Sequence, residues 1–125
     1  MYKGIIEKES LKDVSILNQL NVKEVYKEYH EDEDPPLWHA YKVKIPNNKL
    51  EQLIKFLSKN IMISGWFSLF WNNKLVYVVM KDKIIKLKNK RPWDRKEFKK
   101  LISYGEKEDI HRKWFDNMVN PMNNW

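Results

Sequence analysis

Apolar residues recur along this chain in two rhythms, one of helices and one of strands. Tyr2 to Ile6 reads as an opening strand. Ser10 then precedes Leu11, Val14, Leu17 and Leu20, a cap followed by the apolar stripe of a short amphipathic helix. NVKEVYKEYH and LWHAYKVKI read as two extended segments. In the second, Leu37, His39, Tyr41, Val43 and Ile45 lie on one side and Trp38, Ala40, Lys42 and Lys44 on the other. EDEDPP, Glu31 to Pro36, separates them, because four like charges and two prolines do not join a paired strand. After Pro46, Leu50, Leu53, Ile54, Leu57 and Ile61 recur at helical spacing.

The second half alternates instead. GWFSLFW and KLVYVVM flank Asn72-Asn73, which predicts a tight hairpin turn at residues that tolerate positive φ, and Asp82-Lys83 marks a second turn into IIKLK. Asp94 with Glu97 three residues on forms a capping box before Phe98, Leu101 and Ile102, with Gly105 expected to end that helix. A fourth, shorter helix is expected up to Asn120, with Ile110, Trp114 and Met118 on one face and Glu108–Arg112 and Asp109–Lys113 as i, i+4 pairs.

These elements predict an α+β fold with a mainly antiparallel sheet of about five to six strands and three to four helices. The first six follow the ferredoxin-like βαββαβ order. The chain has 125 residues and shows no repeat, linker or low-complexity tract, so residues 1–125 form a single expected domain. The hairpin is apolar on both faces. Trp66, Ser68 and Phe70 oppose Phe67, Leu69 and Trp71, and Leu75, Tyr77 and Val79 oppose Val76, Val78 and Met80. A sheet wetted on one side would alternate, so another layer must cover the second face: the C-terminal helix, a second copy of the chain, or a ligand.

Composition narrows the chemistry. There is no cysteine, which excludes disulfides, thiolate zinc sites and thiol nucleophiles. MYKGIIEKES has no apolar segment of secretory length, so a cytoplasmic location is expected. The most apolar stretch, Ile61 to Met80, is interrupted by Asn72, Asn73 and Lys74 and reads as a hairpin, so no membrane partner is expected. The net charge of +7 resides wholly in residues 63–125, which carry 14 basic and 7 acidic side chains, while residues 1–62 balance ten against ten.

That asymmetry directs attention to Lys81 to Lys100, where Lys86, Lys88, Arg91, Trp93, Arg95, Lys96, Lys99 and Lys100 could neutralise phosphates and offer one stacking ring. The alternative is the solvated side of a strand and a helix whose cores are Ile84, Ile85, Leu87, Phe98, Leu101 and Ile102. GWFSLF lacks the basic residue that precedes the glycine in an RNA-recognition strand, Ser64 standing there. His30, Glu31, Asp32, Glu33, Asp34 and His39 carry metal-ligand chemistry, but their spacing matches no metal loop, and no metal or cofactor is assigned. With three histidines, scattered glycines and no nucleophile beside a base, no catalytic residue is assigned either. An enzyme would need a pocket uniting His39 or His111 with a carboxylate.

MYKGIIEKESLKD, GWFSLF and VYVVMKDKIIKL together resemble a group of small prokaryotic proteins of unassigned activity. The resemblance implies a compact single domain and no particular site. The reading is therefore a small binding or self-associating protein, with homo-oligomer contacts expected through Trp66, Phe67, Trp71, Trp114 and Met118. The alternative is nucleic-acid or polyanion binding through residues 81–100.

Overall fold

The computed structural model describes residues 1–125 and is an α+β protein built on one six-stranded antiparallel sheet. The strands are β1 (Tyr2–Glu7), β2 (Asn21–Tyr29), β3 (Leu37–Ile45), β4 (Phe67–Trp71), β5 (Leu75–Met80) and β6 (Lys83–Lys88), in the order β2-β3-β1-β4-β5-β6. The helices are α1 (Asn47–Phe56), α2 (Arg95–Lys107), α3 (Arg112–Asp116) and α4 (Val119–Asn123). No helix is long and apolar enough to cross a membrane.

The expected helix after Ser10 is instead two 3-10 segments, Lys8–Ser10 and Val14–Gln19. Asp13, not Ser10, caps the longer one by accepting from the Ser15 amide, while the Ser10 hydroxyl donates to the Glu7 carbonyl. With that connection so reduced, and with β5 and β6 extending the sheet, the arrangement is not a simple ferredoxin-like one.

Both faces of the sheet are covered by the chain itself. On one face Ile6, Val43, Ile45, Phe70 and Val79 pack against Ile16 and Leu17 of the 3-10 segment, Leu50 and Ile54 of α1, and Leu57 and Ile61 of a wide π-type turn that extends α1. Ser58 fixes that turn to the sheet, its hydroxyl donating to the Met80 carbonyl and its own carbonyl accepting from the Asp82 amide. On the other face Ile5, Leu69, Trp71, Val76, Val78, Met80, Ile85 and Leu87 lie beneath Leu101 and Ile102 of α2 and Ile110, Phe115, Met118 and Met122 of the C-terminal segment. Of the three candidates for the second layer, the C-terminal helices occupy it.

The turns differ in detail from their sequence signals. Residues 72–74 form a three-residue loop in which the Asn72 side chain accepts from the Lys74 and Leu75 amides, so neither asparagine adopts positive φ. The left-handed residue is Asp82, at φ 61°, between β5 and β6. Asp94 caps α2 as expected, accepting from the Glu97 amide at 3.0 Å. Gly105 does not end that helix. It lies inside it because the Phe115 ring packs directly on its α-carbon, where a Cβ would collide. Asp109, at φ 58°, then breaks the chain direction, and the single expected fourth helix becomes α3 and α4. The expected pairs of Glu108 and Asp109 give way to Arg112–Asp116 at 3.3 Å and Lys113–Glu33 at 3.9 Å.

The Gly105–Phe115 contact fixes the C-terminal layer to α2. Gly105→Ala is expected to lower stability by about 1–3 kcal/mol through overpacking, and Phe115→Ala by about 3–5 kcal/mol through the cavity it leaves. Chemical denaturation checks both. A change below about 0.5 kcal/mol in either would show that the layer is held elsewhere.

Candidate functional site

The C-terminal layer does not reach across the whole sheet. Over β1, β2 and β3 it leaves a cavity of about 620 Å³. The floor takes Ile5 and Glu7 from β1, Glu24, Tyr26 and Glu28 from β2, Trp38 and Lys42 from β3, and Phe67 and Leu69 from β4, while Ile110, Trp114 and Met118 form the opposite wall.

A β-bulge decides which side chains of β2 face this cavity. Val22 pairs with Val43 on the α1 side, yet the next pair is Glu24 with Lys42, so Lys23 is the extra residue. Beyond it Tyr26 sits opposite Ala40 and Glu28 opposite Trp38, all on the cavity face. Without the bulge the alternation would turn Lys23 and Lys27 inward and the two glutamates and the tyrosine outward.

The charges are distributed unequally within the cavity. Lys42 is engaged, its Nζ 2.9 Å from Glu24 Oε1 and donating to the Asn124 carbonyl at 3.1 Å. Glu7 and Glu28 have no such cation. Burial pushes the Glu7 carboxyl well above the usual carboxylate range, and the hydrogen bond and charge of Glu28 push it further, with a smaller contribution from Glu9. Glu7 is therefore neutral at pH 7, and the two carboxyls share a proton. Burial, with the charges of Glu28, Glu7 and Glu24, raises the Tyr26 phenol to about 12, so its hydroxyl remains a donor.

Three buried polar atoms have no hydrogen-bond partner within the chain: Glu7 Oε2, Glu28 Oε1 and His30 Nε2. They belong to one cluster, since His30 Nε2 lies 3.8 Å from Glu28 Oε2, too far for a hydrogen bond. The two glutamate oxygens lack a partner only as ionised carboxylates, whereas a proton on Glu7 satisfies them, and His30 Nε2 has no partner in either state.

Aromatic rings line the same end. Trp38 has Trp66 at 4.8 Å, Trp114 at 5.2 Å and the His30 imidazole at 3.9 Å between ring centroids. The Trp38 indole N–H donates to the Pro35 carbonyl, and Phe67 packs on Phe115 at 4.9 Å. At the other end the Trp125 indole donates to the Gly4 carbonyl, with Lys3 and Lys44 Nζ over its ring at 5.0 and 5.9 Å.

No protein-family model, curated protein or solved structure matches the chain. The site is therefore read from its own geometry.

Of the apolar residues singled out from sequence, Trp66, Phe67, Trp114 and Met118 line this cavity, while Trp71 lies in the core beneath the C-terminal layer. The basic residues divide into three sets. Lys96, Lys99 and Lys100 share a groove between β6 and α2, which Lys86 borders with its side chain turned to the α1 face. Trp93 and Arg95 line a neighbouring depression, which Lys99 also borders. Arg91 stacks on Trp93 with its guanidinium carbon 3.6 Å from the ring centroid, and Lys88 lines neither hollow.

The acidic loop and the histidines do not converge. His39 pairs with Glu9 on the far face of the sheet, Nδ1 to Oε2 at 2.8 Å, and its amide donates to Oε1 of the same carboxylate at 2.7 Å. His111 accepts from the Lys113 amide at the start of α3.

The retained proton on Glu7 has a consequence for stability. The unfolded chain releases it near the ordinary value of 4.5, whereas the folded chain holds it to higher pH. Between those limits the folded state binds more protons, so stability falls as pH rises; below 4.5 the penalty vanishes. Glu7→Gln removes the penalty. Its melting temperature is expected to exceed that of the wild type by a margin that grows from about pH 4 to about pH 8. A pH-independent margin, or one that shrinks, would contradict a protonated Glu7.

Proposed function

We propose that this chain is a small binding protein without catalytic machinery, whose ligand carries a protonated amine on a compact apolar body. The observation that carries this reading is the buried carboxyl pair of Glu7 and Glu28, with no lysine or arginine to neutralise it, at the floor of an aromatic cavity. An ammonium group offers three donors and no acceptor, which suits the two carboxylates once their proton leaves. The indoles of Trp38, Trp66 and Trp114 supply flat surfaces for the apolar body and negative ring faces for the charge. A cavity of about 620 Å³ is within the range of small-molecule sites.

Electrostatics favour the same class. A neutral ligand leaves the carboxyl pair with its shared proton, whereas an arriving cation stabilises both charges and displaces that proton. Binding is thus coupled to the release of about one proton near neutral pH.

For the fold, we infer that the first six elements follow a βαββαβ order in which 3-10 segments replace the first helix. The strand order β2-β3-β1-β4, with β3 lying between β1 and β2, supports it as the placement of a split βαβ pair.

Tryptophan fluorescence and calorimetry with an alkyl- and arylammonium series, each paired with its neutral alcohol, test the ligand class. Phenethylammonium is expected to saturate the signal where 2-phenylethanol does not. Glu28→Gln should weaken binding at least about tenfold, the effect of removing one charged acceptor. Calorimetry in two buffers of different ionisation enthalpy should report release of about one proton. Equal binding of the alcohol, or no saturation by any ammonium up to about 10 mM, a free energy of only a few kcal/mol, would overturn the reading.

A further inference from the structure

We propose that the groove between β6 and α2 binds the phosphate backbone of nucleic acid without reading its sequence. Five lysine side chains extend over it, Lys83 from β6 and Lys96, Lys99, Lys100 and Lys107 from α2, while Lys86 borders it from the strand with its side chain turned, like Ile84, to the α1 face. Glu97 is the one acidic residue among them, and it is engaged by Lys100 Nζ at 3.4 Å. The groove is remote in the sheet from the carboxylate cavity, because β6 and β2 are opposite edges, and this inference is independent of the reading given to that cavity.

The two walls are held in fixed relation. Leu101 and Ile102 anchor α2 to the face on which Ile85 and Leu87 of β6 lie, so the lysines project from a rigid element. As the outermost strand, β6 also has one unpaired edge, whose alternate backbone N–H groups are further donors to an anion. Lys96 and Lys107 are eleven residues apart on α2, a rise of about 16 Å. One strand of B-form DNA climbs that distance in about five phosphates.

The groove lacks what base recognition needs. Tyr104, the one aromatic residue among its lining, donates its hydroxyl to the Lys81 carbonyl and carries Lys83 Nζ 6.0 Å above its ring. Trp93 lies outside the groove, under Arg91. With no free ring and no carboxamide side chain facing it, the groove senses phosphate charge and not base identity.

Fluorescence anisotropy with labelled mixed-sequence oligonucleotides of about 20 units, single-stranded and duplex, tests this. At about 50 mM salt at least one form is expected to bind. The slope of log affinity against log salt should lie between about −3 and −5 on a duplex, and scrambling the sequence should change affinity less than about twofold. The comparison of the two forms shows which one the groove prefers.

Lys96→Glu with Lys99→Glu is expected to weaken binding at least about tenfold, whereas Lys88→Glu with Arg91→Glu, an equal change of charge outside the groove, should weaken it less than about threefold. All four side chains are exposed, and circular dichroism melts verify that both double variants fold. Absence of binding to either form at low salt overturns the proposal. Equal loss from the two double variants does so too, by assigning binding to net charge, as does strong discrimination between scrambled sequences.

Discussion

The site follows from a mismatch of widths. Six strands spaced about 4.8 Å apart place the outermost strands about 24 Å from each other, whereas a packed helix covers a strip of about 10 Å. On the C-terminal face the chain supplies α2 and, beside it, the row of two five-residue helices α3 and α4. These cover β4, β5 and β6 and reach β1, and the far end of the sheet is left beneath a cavity. The contact of Phe115 with Gly105 sets how closely the short helices lie against α2, and so how much of the sheet they leave.

What lies on that end of the sheet gives the cavity its character. In a chain with seven excess positive charges, its polar floor carries Glu7, Glu24 and Glu28 against Lys42 alone. Lys42 is taken up by Glu24, so Glu7 and Glu28 have a proton and, 3.8 Å from Glu28, the His30 imidazole to limit their repulsion. The low polarity that forces this sharing comes from the same tryptophans that would cradle an apolar ligand body. Acid and aromatic residues are therefore parts of one device. The lysines, by contrast, are concentrated at the opposite edge, where the free side of β6 and the exposed side of α2 meet.

Much of the fold was legible because its periodicities are strong. The two-faced alternation from Phe67 to Met80 required a second layer, and that layer is the C-terminal segment bearing Ile110, Phe115 and Met118. Asp94 marked the start of α2 through a cap that is local in sequence. Features set by tertiary contact were not legible. Gly105 resembled a helix stop, although its lack of a side chain serves the Phe115 ring, and the left-handed residue that follows α2 is Asp109. Four apolar members of the cavity, Trp66, Phe67, Trp114 and Met118, were singled out from sequence as apolar-face candidates, while Trp38, Tyr26 and the carboxylates were not. Glu7 falls one residue past the expected end of β1, and the inward turn of Glu24 and Glu28 depends on a bulge at Lys23 that a strict period of two does not reveal. An available signal was the pairing of acids with an aromatic residue at positions 24, 26 and 28, unusual for the solvated face of an edge strand.

The account stands on the proton held between Glu7 and Glu28, which a carbon-detected NMR titration of the glutamate side-chain carboxyls observes directly. The Glu7 carboxyl is expected to remain protonated through neutral pH, with its transition displaced far above 4.5. A Glu7 transition near 4.5 would show a hydrated, ionised carboxylate and contradict the buried acid pair on which the cavity's chemistry depends.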